Sequence, residues 1–115
     1  MQLHEYPRAI ATQQLAVLTA EKFVRNHQEE VNRLTAKIDT EIAFNEVLKN
    51  DTQRKTVRKT MMDEQGYREA AECLQAAEDK LKEMTIDLQL LINQFSIAKM
   101  IERRAIAEIE LRVAA

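Results

Sequence analysis

Four cationic side chains lie close together in the middle of the chain, where they could contact phosphate groups. Spaced at i, i+1, i+4 and i+5, they share one face of a helix: Arg54, Lys55, Arg58 and Lys59. Each phosphate contact would release counterions and favour binding. However, no aromatic residue is interleaved with them to stack on bases, and no recognised DNA-binding motif surrounds them. Two interpretations stay open, a nucleic-acid-binding site and a solvated helix face, and the second is the simpler.

Other reactive residue types form no pattern that predicts a metal site or a catalytic centre. Helical di-metal sites use Glu-x-x-His pairs, and no Glu lies three residues before His4 or His27. Cys73 has no CxxC partner, so we interpret it as a small, partly buried residue. With a single glycine there is no Gly-rich phosphate loop. We therefore expect no enzyme activity, no metal and no cofactor.

The composition predicts long helices that hold these residues. Of 115 residues only one is Gly and one is Pro, aromatic residues make up 4% and charged residues 31%. The net charge of -2 gives no general reason to expect nucleic acid. One cysteine excludes an internal disulfide and fits a reducing cytosol. The chain has no apolar run of about 18 residues and no signal-peptide pattern, so we expect a cytoplasmic protein without a membrane span.

Two apolar series with heptad spacing predict two long helices that pack on each other. One series continues without Gly or Pro through the second half: Leu74, Ala77, Leu81, Met84, Leu88, Leu91, Phe95, Ala98. The other has β-branched residues seven apart: Ile10, Val17, Val24, Val31, Ile38. We expect helices at 8–48 and 67–112 in a single domain, 1–115. Folded antiparallel, residue i then faces a residue near 115 minus i, so Ile10 faces Ala105.

The position of the turn has two alternatives. Asn50 is a good helix N-cap, and Gln53 three residues later resembles a capping arrangement. This reading predicts a short tip helix at 52–64 that ends at Gly66, the only glycine. The alternative is one helix from 8 to 65 that turns only at Gly66. The adjacent Met61 and Met62 are either a contact patch or ordinary packing near the tip.

The second helix carries more apolar residues than one partner helix can cover, so we expect a second partner. A helix that is apolar on two sides is usually buried on two sides. Self-association into a dimeric four-helix bundle at the termini end satisfies this. The apolar residues of the second helix outside the first seam are Ile86, Leu90, Ile92, Ile97, Met100, Ile101, Ile106 and Ile109. Four of them are the candidate oligomer interface: Ile86, Leu90, Ile97 and Ile101.

The middle of the chain also resembles a known group of proteins. The first matching stretch is Leu48-Lys49-Asn50-Asp51-Thr52-Gln53-Arg54-Lys55. It is followed by Tyr67 and by the helix that ends Phe95-Ser96-Ile97-Ala98-Lys99. This arrangement is similar to small coiled-coil proteins of phage and prophage gene clusters. The resemblance implies a non-enzymatic accessory role near DNA recombination, with Gln53, Arg54 and Lys55 as the first functional candidates.

Two functions follow from the sequence. The first is a non-enzymatic coiled-coil interaction or adaptor protein, which forms a homodimer and binds a protein partner that the sequence does not identify. The alternative is a nucleic-acid-binding accessory protein that uses the basic cluster.

Overall fold

The regular elements of the chain are all helices over residues 1–114, the part that the computed structural model describes. A 3-10 turn at Leu3–Glu5 leads into α1 (Tyr6–Ala43), and α2 (Asp51–Met62) and α3 (Gln65–Ala114) follow. The chain is therefore an all-α helical hairpin, as the heptad series predict. Pro7 is the second residue of α1, in the first turn of the helix, where proline is tolerated.

The first long helix ends five residues earlier than predicted, at Ala43 instead of residue 48. The cause is Asn45, whose side-chain Oδ1 accepts a hydrogen bond from the Val47 backbone N–H at 3.0 Å. Such a local bond competes with the helical hydrogen bonds of the same segment. Phe44 and Val47, which lie within the predicted helix 8–48, are consequently exposed in the turn.

The predicted break at Asn50 is confirmed, and the alternative of one helix from 8 to 65 is wrong. Asn50 is the N-cap of α2, and its Oδ1 accepts a hydrogen bond from the Gln53 N–H at 2.9 Å. The Gln53 side chain reaches back and accepts from the Lys49 N–H, also at 2.9 Å. This reciprocal pair closely resembles a capping box, with Lys49 supplying the second donor in place of the cap residue itself.

The prediction that Gly66 ends the tip helix is wrong. The helix ends at Met62, the cap residue Asp63 has a right-handed helical conformation, and Gly66 is already the second residue of α3. The Asp63 N–H donates to Lys59 O and Thr60 O, which keeps the chain turning without a left-handed residue. Gly66 has no positive φ, so the conformational freedom of glycine is not used there.

The helices form two compact units, and both α1 and α3 contribute to each. The turn unit comprises residues 20–81, and the terminal unit comprises residues 1–19 and α3 from Lys82 onward.

In the terminal unit, α1 and α3 are antiparallel and touch along the predicted seam. The ring of Tyr6 stacks on Phe95 with centroids 5.4 Å apart, and the Gln13 side chain donates to the Met84 carbonyl at 3.1 Å. The eight seam residues of α3 are all partly buried throughout both units, which confirms the series. The predicted register is wrong, however, because Tyr6 meets Phe95 where the rule of 115 minus i gives residue 109.

In the turn unit, α2 folds back along the end of α1, and this explains the register. The Arg58 Nε donates to Asp39 Oδ1 at 2.8 Å, and Thr35 Oγ1 lies 3.4 Å from the Tyr67 hydroxyl. The chain therefore reverses at residues 44–50, and α2 packs against the last turns of α1. The predicted hairpin had α3 in this place. As a result α3 begins opposite Thr35. The buried side chains of this unit are Ala20, Val31, Ile38 and Ile42.

Candidate functional site

Exposed apolar side chains are concentrated in the terminal unit. Of fifteen large apolar residues that are exposed in the described part of the chain, twelve belong to this unit. Its only buried apolar side chain among the described residues is Tyr6, which is 8% exposed. An accumulation of exposed apolar side chains is a candidate interaction surface. The twelve are Met1, Leu15, Leu18, Ile86, Leu90, Ile97, Met100, Ile101, Ile106, Ile109, Leu111 and Val113.

The back face of α3 is the part of this surface that lies away from α1; we define it as Ile86, Leu90, Ile97 and Ile101. These side chains are 66%, 54%, 56% and 64% exposed, respectively. With about 100° of rotation per residue they fall within about 60° of each other, roughly opposite the seam. They extend over about 22 Å of helix. The exposure of all four is what a docking face requires, and their role as an oligomer interface stays a prediction.

The last part of α3 has no partner helix from α1 in the described residues. Because α1 begins at Tyr6, opposite Phe95, the seam face of α3 continues beyond the start of α1. Every residue from Met100 to Ala114, which we call the α3 extension, is exposed. Ile106, Ile109 and Val113 continue the seam direction there. Sequence reasoning missed this extension, since it follows only from the register that α2 imposes.

The basic cluster lies on α2, and carboxylates accompany two of its four cations. Arg58 pairs with Asp39 of α1 at 2.8 Å, and Arg54 Nη1 lies 3.8 Å from Asp51 Oδ1. The hydrogen bond from Arg58 to Asp39, supported by the charge of Asp39, raises the pKa of Arg58. All four cations are exposed, but the side chain of Arg58 points to α1. The cluster is therefore one clamp residue with three surface cations around it: Arg54, Lys55 and Lys59.

Met61 lines a cleft of about 190 Å³ in the turn unit. Its walls include Leu34, Ile38, Met61 and Tyr67. Met61 and Met62 are both partly buried, and Met61 faces the apolar residues of α1. For Met61 the packing interpretation therefore holds. The cleft is open, and its walls also include the exposed residues Lys37, Glu41 and Glu64.

The remaining reactive side chains are scattered. Cys73 is exposed, so its interpretation as a partly buried residue is wrong. The heptad series of α3 begins at Leu74, so Cys73 lies just outside the seam. His27 is partly buried, as a seam residue should be. Within residues 1–114 no three His, Cys, Asp or Glu side chains come together in a group suited to a metal ion.

Lys99 adds a contact that the heptad pattern does not reveal. Its Nζ lies 4.4 Å from the centroid of the Phe95 ring, whose other contact is the stacked Tyr6. A cation at this distance is attracted to the aromatic ring. The stacked rings of Tyr6 and Phe95 join the start of α1 to α3, and Lys99 packs on the Phe95 ring. The spacing of Phe95 and Lys99 at i, i+4 was the available signal.

The comparisons with known proteins leave the function to be argued from this geometry. Among the described residues, no helix has the length and apolar character needed to cross a membrane. The chain matches no protein-family model, no curated protein and no solved structure.

Proposed function

We propose that the protein is a non-enzymatic helical interaction protein that assembles with itself through the back face of α3 and acts as an adaptor for a protein partner. One observation carries the proposal: twelve exposed apolar side chains belong to a unit that buries only one among the described residues. A helix that is apolar on opposite sides is stable in water when both sides are covered. A second copy is the partner always present, and joining two hairpins through this face brings four helices together.

The surface area supports assembly. The chain exposes 9094 Å², whereas a compact monomer of 13.3 kDa exposes about 6,450 Å². The excess of about 2,600 Å² is more than the roughly 800 Å² that each partner buries in a standard protein–protein interface. One dimer interface therefore leaves exposed surface for a further protein partner.

The proposal is tested by placing a charge on the back face. We expect Leu90→Glu and Ile97→Glu to sediment as 13.3 kDa monomers under conditions where the parent has twice that mass. The matched control is Phe23→Glu, which changes a similarly exposed apolar side chain of the turn unit and should remain dimeric. Circular dichroism checks that each variant keeps its helices. Dimeric Leu90→Glu and Ile97→Glu would show that the back face is not the interface.

The second candidate function is phosphate-backbone binding by Arg54, Lys55, Arg58 and Lys59. The observation in its favour is that four cations lie within six residues and all are exposed. Against it, Asp39 and Asp51 already neutralise Arg58 and Arg54. The resemblance to coiled-coil proteins of phage gene clusters supports this second function. We propose a cytoplasmic location for either function. A gel shift at low salt tests it: loss of binding in the fourfold Ala variant supports it, and no shift with the parent rejects it.

A further inference from the structure

We propose that two copies pack antiparallel through their α3 helices, about a two-fold axis that passes between Asn93 and Gln94. This inference rests on the proposed function, because it specifies how the second copy is placed. The back face has a spacing of four, seven and four residues, from Ile86 to Leu90, Ile97 and Ile101. The pattern is therefore the same in both chain directions. A two-fold interface requires this self-complementarity, since the same patch serves both copies.

The symmetric spacing fixes which side chains meet. With the axis between residues 93 and 94, Ile86 faces Ile101 of the second copy, and Leu90 faces Ile97 of the second copy. Each contact occurs twice by symmetry. All four side chains are more than half exposed, so none must leave an existing core position to make these contacts. The back face can therefore pair without rearrangement of α3.

Charged residues at the two ends of the back face complete the same pattern. Glu83 lies three residues before Ile86, and Arg104 lies three residues after Ile101, on the same side of the helix. In the antiparallel pair Glu83 meets Arg104 of the second copy, twice. A parallel pair would place Glu83 on Glu83 and Arg104 on Arg104, which is repulsive. The next charged residues outward on this side, Asp79 and Glu108, bring like charges together in either direction. The preference for the antiparallel direction therefore rests on Glu83 and Arg104.

Arg104 is accessible for this contact. Its side chain is 85% exposed, and its Nε lies 3.6 Å from Glu108 of the same helix. A guanidinium has five N–H donors, so the outer nitrogens of Arg104 can bind a second carboxylate. At the centre, the amides of Asn93 and Gln94 lie beside the axis and can hydrogen-bond across it. A polar pair at such a position fixes the register of two helices.

The position of α1 leaves room for the second copy. Tyr6 and Gln13 of α1 contact Phe95 and the Met84 carbonyl, on the seam side of α3. The back face is on the other side of the helix, so α1 does not cover it. The resulting order of helices is α1, α3, α3 of the second copy and α1 of the second copy.

Charge reversal tests the register. We expect Glu83→Arg and Arg104→Glu each to raise the dimer dissociation constant about tenfold, because each sets like charges together at two sites. The double variant restores opposite charges and should return to within about threefold of the parent. The matched controls are Arg103→Glu and Glu110→Arg, which alter exposed charges pointing away from the back face and should leave the constant unchanged.

Disulfide trapping provides a second readout. The background is Cys73→Ser, and the introduced cysteine is Asn93→Cys, beside the axis. With two helices about 8 to 10 Å apart, the Cα atoms of residue 93 in the two copies come within about 6 Å of each other, a distance suited to a disulfide. We expect rapid cross-linking of Asn93→Cys and none of Ser96→Cys, an exposed residue on another side of α3.

The outcomes separate this inference from the proposed function. Rescue by the double charge variant together with cross-linking at residue 93 supports the antiparallel arrangement. A dimeric parent in which the double variant is not rescued, or residue 93 does not cross-link, overturns the arrangement and leaves self-association standing. A parent that is monomeric at all concentrations overturns both.

Discussion

Asn50 stabilises the start of α2 by accepting the Gln53 N–H, one of the N–H groups that a helix start leaves without a partner. We expect Asn50→Ala to lower the free energy of unfolding by about 1 kcal/mol, because this N–H loses its acceptor. Asn50→Asp keeps an acceptor and should cost much less. Urea unfolding followed by circular dichroism measures both. Equal losses in the two variants would show that the cap is not what stabilises this position.

Tyr6 is the single buried side chain of the terminal unit among the described residues, and it stacks on Phe95. Tyr6→Ala removes this ring and leaves a gap, so we expect a loss of about 3 kcal/mol in the free energy of unfolding. Leu15→Ala is the control, since that side chain is largely exposed and should change stability by less than about 0.5 kcal/mol. Thermal unfolding of the two variants compares them. A small loss for Tyr6→Ala would mean that this stack does not hold the start of α1 on α3.

Glu30 and Arg33 form an ion pair with two hydrogen bonds, at 2.6 and 3.0 Å. The hydrogen bonds from Arg33, assisted by its charge, lower the pKa of Glu30. A lowered pKa means that the stabilisation is present above about pH 4.3, the value for an unfolded chain, and is lost as the pH falls through the lower folded value. We expect Glu30→Gln to have a lower unfolding midpoint than the parent at pH 7. The difference should vanish at pH 2, and a difference that does not change with pH would contradict the assignment.

At the residue scale, the sequence predicts what depends on neighbours in the chain. Asn50 and Gln53 are three residues apart, so their capping contact is visible from their types and spacing. The end of α1 was missed because Asn45 has the same preference, and only the folded turn shows which asparagine begins a helix and which ends one. The exposure of Cys73 could have been predicted, because Leu74 and not Cys73 has the seam position of α3.

At the element scale, α2 is held against α1 by Asp39 and Arg58, which are nineteen positions apart in the chain. We expect Asp39→Asn and Arg58→Gln each to lower the urea midpoint, and the double variant to lower it by less than the sum, because each single change already removes the pair. The midpoint shifts should shrink at 1 M salt, since both side chains are about half exposed. Additive shifts would show that the two side chains act independently.

The seam of α3 was predictable, whereas its register against α1 was not. The heptad spacing of Leu74 to Ala98 follows from local helix geometry, and these residues are all partly buried. Apolar layers seven residues apart accept several registers equally well. The choice depends on the turn, and the return of α2 along α1 shifts α3 by about two heptads from a symmetric hairpin. The exposed α3 extension is the consequence.

At the scale of the whole molecule, the distribution of apolar surface connects the fold with the proposed function. The turn unit buries four apolar side chains, and the terminal unit buries one within the described residues. The back face was identifiable from sequence, because Ile86, Leu90, Ile97 and Ile101 lie outside the seam. Its exposure required the structure, in which all four side chains are more than half exposed.

The central claim is that the chain assembles with itself, and sedimentation equilibrium over a concentration series tests it most directly. The measurement should extend from about 1 to 200 μM, because a self-association is recognised by a mass that rises with concentration. We expect the mass to rise from 13.3 kDa towards twice that value across the series. A constant mass of 13.3 kDa over the whole range would contradict the account.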